Sequence, residues 1–290
     1  MNRRTLLGLT AALGLTAAWP AFAQTAEIRF GLIPSEDAEK LIADSQPFIK
    51  ALEAAIGMKV KPFVALDYSA VVEALKSDKL EIAFLGPAAY ILARDKVKVA
   101  VEPVARGVMA QTGKSSYRAL IIAHPDQPIK TLADLKGKTF ALVDPASTSG
   151  NFVPRLALHK NGIDPEKDFK SLYYSGTHQA SLIAVKEGKV NAAGIADEVY
   201  DLAMSRGQLK KEDVRIIFAS DPIPGSPFVI RTNLPKDLQD KLRKGLMAIS
   251  NVQFGKLGVV NAMDPATDKD YDTVRELIAF QDKQKKAAGK

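Results

Sequence analysis

The chain contains no cysteine, three histidines and a single tryptophan. Without cysteine there can be no disulfide, no thiolate metal site and no thiol nucleophile. The histidines, His124, His159 and His178, stand far apart and show no H-E-x-x-H or other ligand spacing. A metal centre is therefore not expected, and no cofactor is implied. A G-x-S-x-G elbow is also missing, which argues against an exported α/β hydrolase. Gly113-Lys114-Ser115-Ser116 has the residues of a phosphate loop without its G-x-x-x-x-G-K-[ST] spacing, so an ATPase is rejected. Basic residues are scattered and no basic run is interleaved with aromatics, so nucleic acid is not an expected partner. Beyond the N-terminus no apolar run is long enough to span a bilayer.

The N-terminus itself reads as a signal peptide over residues 1–23. Arg3 and Arg4 form a positive start, Leu6 to Ala18 is a short apolar stretch, and Ala21-Phe22-Ala23 is a cleavage site of the A-x-A kind. A membrane anchor is the weaker alternative given that site. The arginine pair also permits twin-arginine export. The mature chain is then expected to begin near Gln24, outside the cytoplasm. Cleavage removes two arginines and no acid, lowering the formal charge from +7 to +5. A mildly positive field favours encounter with a small anion.

The remaining chain is long enough for two lobes, with 47% hydrophobic and 25% charged residues overall. Strand-like and helix-like segments alternate from Glu27 to about Ala105, which predicts a mostly parallel sheet with helices on its faces. A similar series restarts at Tyr117 and runs to Ala219. The rigid connector Asp221-Pro-Ile-Pro-Gly-Ser-Pro227 then reads as a return crossing, followed by a strand at Phe228–Arg231 and two helices. The expected division is residues 24–110 and 222–290 in lobe 1 and residues 111–221 in lobe 2. The crossings are expected near 105–116 and 218–226.

One stretch stands out. Asp144 to Arg155 reads D-P-A-S-T-S-G-N-F-V-P-R between an apolar strand and a helix. One hydroxyl residue suffices to cap a helix, whereas Ser147, Thr148 and Ser149 are consecutive and followed by Gly150. A helix start rich in donors, at the positive end of the dipole, is an anion site. Gly86-Pro87 and Thr177-His178 also follow strands at helix starts, where open α/β sheets bind ligands. Tyr68, Tyr117, His178 and the pair Asp197-Glu198 are each ordinary packing or capping residues when taken alone. Their recurrence at corresponding strand ends makes them candidates.

At these residues the chain resembles the periplasmic binding proteins of phosphonate, phosphite and phosphate ABC importers. The D-P-x-S-T-S-G-x-x-V-P signature is present, with D-Y-S-A-V-V-E-A-L at 67–75, I-A-F-L-G-P at 82–87, G-T-H-Q-A-S-L-I-A-V at 176–185 and I-P-G at 223–225. The resemblance covers nearly the whole mature chain. It implies the α/β two-lobe type II periplasmic binding protein fold with a ligand cleft between the lobes. It also implies a monomer that hands its ligand to an ABC permease at the membrane. By motif, Ser147, Thr148 and Ser149 would donate to the phosphonyl oxygens, joined by Tyr68, Tyr117 and His178. Asp197 is the candidate carboxylate of the Asp197-Glu198 pair. Relatives that take an aminoalkyl phosphonate carry an Asp after I-P-G, where this chain has Ser226. A small oxyanion without an amine is therefore expected, with phosphite first, then methylphosphonate and phosphate. A sensor subunit for the same anion is the alternative role.

Overall fold

The computed structural model describes residues 27–287, so the expected signal peptide lies outside the described residues. The chain opens with β1 (Ile28–Leu32), α1 (Ala38–Ile56), β2 (Val60–Val64), α2 (Tyr68–Lys76), β3 (Ile82–Phe84), α3 (Pro87–Ile91) and β4 (Val101–Met109). It continues through β5 (Ser116–Tyr117), β6 (Ala119–Ala123), β7 (Thr139–Leu142), α4 (Val153–Lys160), α5 (Pro165–Asp168) and β8 (Ser171–Tyr174). Then come α6 (His178–Lys186), β9 (Ala192–Ala196), α7 (Asp197–Ser205) and β10 (Arg215–Ala219). It closes with β11 (Ile223–Pro224), β12 (Phe228–Arg231), α8 (Lys236–Met247), β13 (Val252–Gln253), β14 (Val259–Pro265) and α9 (Asp272–Ala287).

These strands form two main sheets. The first runs β13-β14-β4-β12-β3-β1-β2 and the second β10-β6-β9-β7-β8. The chain leaves the first sheet after β4 and rejoins it at β12. Where it passes between them, β5 and β11 pair antiparallel, with Tyr117 opposite Ile223 and Ser116 opposite Pro224. Gly225 follows at once, and a Cβ there would lie 2.4 Å from the Ser115 carbonyl oxygen, so only glycine lets the two passing segments touch.

The sheets are mixed rather than mostly parallel. β1 is parallel to β2 and β3, and β7 is parallel to β8 and β9. β12 runs against both β3 and β4, and β6 runs against β9 and β10. Each reversed strand is the first full strand after a passage between sheets, so the passage itself sets the reversal. β14, antiparallel to β4, had no sequence signal: its V-V-N-A-M-D-P carries poor strand formers, and pairing with β4 overrides them.

The first sheet packs on an aromatic cluster. Phe48 of α1 stacks on Phe228 at 4.9 Å and meets Phe254 at 4.4 Å, and Phe30 and Phe84 close the group. All five rings are buried. Each contributes about 1.5–3 kcal/mol by leaving water. Phe254 also anchors the tight turn Gly255–Leu257, which places Lys256 at the cleft. α1 itself is set by Asp37, whose carboxylate accepts from the Lys40 N–H at 3.0 Å, and is stopped by Gly57 at φ +64°.

Candidate functional site

β7 ends at Leu142, and the chain turns through Asp144 into a helix that starts at Thr148. Its first turn, Thr148–Phe152, is widened: the Phe152 N–H donates to the Ser147 carbonyl at 3.1 Å, and the Val153 N–H to Thr148. Ser147 caps it, its hydroxyl accepting from the Gly150 N–H at 3.0 Å. Gly150 is required by contact, because a Cβ would lie 2.4 Å from the Val143 side chain. Ser147, Thr148 and Ser149 are all buried, at 1%, 2% and 1% exposure. The Thr148 and Ser149 N–H groups make no hydrogen bond to other described residues. Unpaired donors at a buried helix start need a partner, which a ligand can supply.

Helix starts of the first sheet face this turn. The Ala88 N–H, in the first turn of α3, donates to Thr148 Oγ1 at 2.8 Å. The Tyr68 N–H, at the start of α2, donates to Asp144 Oδ2 at 3.3 Å. The Tyr68 hydroxyl is buried and has no hydrogen-bond partner among the described residues. Burial pushes its ionisation far up, the Asp144 charge adds to this and the Ser147 hydroxyl opposes it, so the phenol keeps its proton. Tyr117 is buried as well. Its ionisation is pushed up by burial and by the Glu198 charge, while the Thr148 and Ser149 hydroxyls beside it pull the other way.

His178, at the start of α6, is 2% exposed. Its Nδ1 accepts from the Ala196 N–H at 3.1 Å, so the ring proton sits on Nε2. Burial, helped by the Lys256 charge, holds His178 well below its ordinary range, and it is neutral at pH 7. Ser147, Thr148 and His178 thus share one arrangement. Each accepts a backbone N–H at its acceptor atom, which leaves its proton to be given elsewhere. A set of groups turned into donors selects an anion.

At the start of α7 the structure separates the two acids. The Asp197 carboxylate accepts from the Glu198 N–H at 2.8 Å and is half-buried. Glu198 is 5% exposed and forms an ion pair with Lys256, which is equally buried. The Lys256 ammonium stands 5.0 Å from the centre of the Tyr117 ring and 3.5 Å from the Ser226 hydroxyl. Burial raises Glu198, Lys256 lowers it, and Asp197 and Asp201 raise it further.

The match to known proteins is decisive for the family. Residues 30–271 match the family described as "ABC transporter, phosphonate, periplasmic substrate-binding protein". The chain belongs to that family. It is 31% identical over 271 residues to the "Phosphate-import protein PhnD" of Mycolicibacterium smegmatis, covering 86% of this chain and 84% of the relative. It is 31% identical over 229 residues to the "Phosphonates-binding periplasmic protein" of Escherichia coli, covering 77% of this chain and 67% of the relative. A crystal structure of a binding protein component of an ABC phosphonate transporter from Pseudomonas aeruginosa superposes with a TM-score of 0.80. It has 30% identity, with 89% of this chain and 87% of that chain covered.

The fold is accordingly the two-lobe type II periplasmic binding fold. As a family member the chain is the exported, substrate-binding component of an ABC importer of the phosphonate type, and not an enzyme. Among the candidate residues, the structure gathers Tyr68, Tyr117, Ser147, Thr148 and Ser149 into one buried cluster between the sheets, and places His178, also buried, near Lys256, whose ammonium lies over Tyr117. Asp197 borders the cluster with its carboxylate turned to its own helix. Sequence reasoning missed Lys256, which lies in a G-K-L-G turn without periodicity, and left Glu198 undistinguished from Asp197. Only the burial of the pair separates them.

Proposed function

We propose that the chain captures a small phosphorus oxyanion without an amine, phosphite first, then methylphosphonate and phosphate, and delivers it to a membrane permease. The carrying observation is the buried cluster of proton-presenting groups at the Ser147–Ser149 turn, facing the unpartnered Tyr68 hydroxyl. Ser147, Thr148, Ser149, Tyr68, Tyr117 and His178 bind the oxygens in this reading. The aromatic faces of Tyr68, Tyr117 and Phe152 are buried and suit the non-oxygen substituent of phosphite or methylphosphonate. Phosphate puts a fourth oxygen there. Against those aromatic faces it would find no hydrogen-bond partner. The loss is about 1–3 kcal/mol, or roughly ten- to a hundredfold in affinity.

In this reading lobe 1 comprises residues 24–110 and 222–290 and lobe 2 residues 111–221, with cleavage near Ala23 and a monomer as the working unit. The sheet membership of the strands and the β5–β11 pairing support that division. Titration calorimetry with phosphite, methylphosphonate, hypophosphite, phosphate and 2-aminoethylphosphonate tests it. The expected order has phosphite or methylphosphonate tightest. Tightest binding of 2-aminoethylphosphonate would overturn the amine-free reading. Binding of none of the five would overturn the oxyanion reading itself.

A further inference from the structure

The Lys256–Glu198 pair is the most heavily buried ion pair beside the candidate site. Its carboxylate comes from α7, which follows β9 of the second sheet, and its ammonium from the turn between β13 and β14 of the first. A buried pair of this kind is a poor source of stability, since taking both charges out of water costs about as much as their attraction returns. Apolar residues of equal volume would pack there without that cost. The position of the pair suggests a different use.

Three observations locate it against the ligand cluster. The Lys256 ammonium lies over the Tyr117 ring, whose hydroxyl stands beside Thr148 and Ser149. It is the charge that helps keep His178 neutral. It also reaches the Ser226 hydroxyl, at the passage between the sheets. On the Glu198 side the surroundings are acidic, with Asp197 and Asp201 near it; Glu36, 6% exposed, is paired with Lys40. A cavity of about 30 Å³ lies alongside, lined by Glu36, Gln179, Leu182, Val199, Arg206 and Lys256 among others. It has room for one or two waters.

The geometry points to Lys256 as a specificity-determining residue: its tethered ammonium occupies the place that the ammonium of an aminoalkyl phosphonate would take, so that the cleft accepts only ligands without an amine. The inference rests on the phosphorus-oxyanion reading above. It adds that the exclusion is made by an occupying cation as well as by the absence of a carboxylate at Ser226. A ligand ammonium entering the occupied site meets a like charge within a few ångströms, in surroundings with little water to screen it. Truncating Lys256 removes the like charge, joins its space to the neighbouring cavity and leaves the Glu198 carboxylate without a cation. A buried carboxylate in that state either takes a proton or pairs with an ammonium that reaches it.

The test compares ethylphosphonate with 2-aminoethylphosphonate, which differ only by the amine, on the wild type, Lys256→Ala and the double variant Lys256→Ala/Glu198→Gln. Wild type should prefer ethylphosphonate by roughly tenfold or more. Lys256→Ala should reverse that order. The double variant, which offers a ligand ammonium no Glu198 carboxylate, should prefer ethylphosphonate again. A wild type that binds 2-aminoethylphosphonate as well as ethylphosphonate overturns the inference, whether or not the single variant folds. So does a folded Lys256→Ala that keeps the wild-type preference. If the wild type binds neither of these nor phosphite, methylphosphonate or phosphate, the oxyanion reading falls and this inference falls with it. Failure at the variants alone leaves that reading intact.

Discussion

Replacing Tyr68 by Phe isolates one oxygen atom. The Tyr68 side chain is 1% exposed and its hydroxyl makes no hydrogen bond to the described residues. Such a group costs about 1–3 kcal/mol. The same hydroxyl is placed to donate to a bound oxyanion, and a hydrogen bond to a charged group contributes about 1.5–3 kcal/mol. The two effects have opposite signs in the two states. Tyr68→Phe should leave the ligand-free protein as stable as wild type or up to about 3 kcal/mol more stable. It should also weaken methylphosphonate binding by roughly 10- to 150-fold. Urea unfolding of the ligand-free protein reads the first effect and titration calorimetry the second. An unchanged dissociation constant would refute the ligand contact. A loss of stability above about 1 kcal/mol would show that the hydroxyl has a protein partner after all.

Thr148→Val keeps the shape of the side chain but removes the acceptor of the Ala88 N–H and a ligand donor, so binding measured by calorimetry should weaken by about 1–3 kcal/mol. Gly150→Ala forces a Cβ to within 2.4 Å of Val143. It should cost about 1–3 kcal/mol, seen as a melting temperature lowered by several degrees, with anion binding lost alongside. Burial holds the His178 pKa below its unfolded value, so the unfolded chain takes up a proton first as pH falls. The stability linked to His178 is therefore complete above about pH 6.5 and is lost as the pH drops below it. His178→Gln should flatten that part of the stability curve in denaturant titrations between pH 5 and 7, relative to wild type. The buried carboxylates Glu198 and Asp144 are shifted up and give a slope of the other sign, but they are common to both proteins and drop out of the difference.

The sequence made the Ser147–Ser149 turn visible because its chemistry is local. A strand, a run of hydroxyls and a glycine lie within a dozen residues, and the structure uses Ser147 as the cap and Gly150 for the close approach to Val143. Strand-helix alternation was equally legible through β1, α1, β2, α2 and β3, where apolar faces repeat at the expected period. The reversed directions of β6 and β12 were not, because direction within a sheet depends on where the chain crosses and not on any local pattern. β14 was invisible for a related reason: its hydrogen bonds to β4 compensate for residues that disfavour strands. Lys256 was hidden twice over. It lies 58 residues from Glu198, and a lone lysine between glycines reads as a solvated turn.

The recurring device of the site is that backbone N–H groups decide what the side chains can do. A hydroxyl or a neutral imidazole is amphoteric and could serve a cation, an anion or a neutral ligand equally well. Here the Gly150, Ala88 and Ala196 N–H groups each take one acceptor site of Ser147, Thr148 and His178. That leaves the imidazole only its proton and biases the two hydroxyls towards donating. One of those acceptor bonds, from Ala88 to Thr148, runs from the first sheet to the second, so it exists only when the two come together. The Tyr68–Asp144 contact and the Glu198–Lys256 pair also join groups borne by the two sheets. Bringing the sheets together therefore does more than enclose a ligand. In the proposed reading it also fixes the donor orientation of Thr148, so recognition of the anion and closure over it would be coupled through the same atoms.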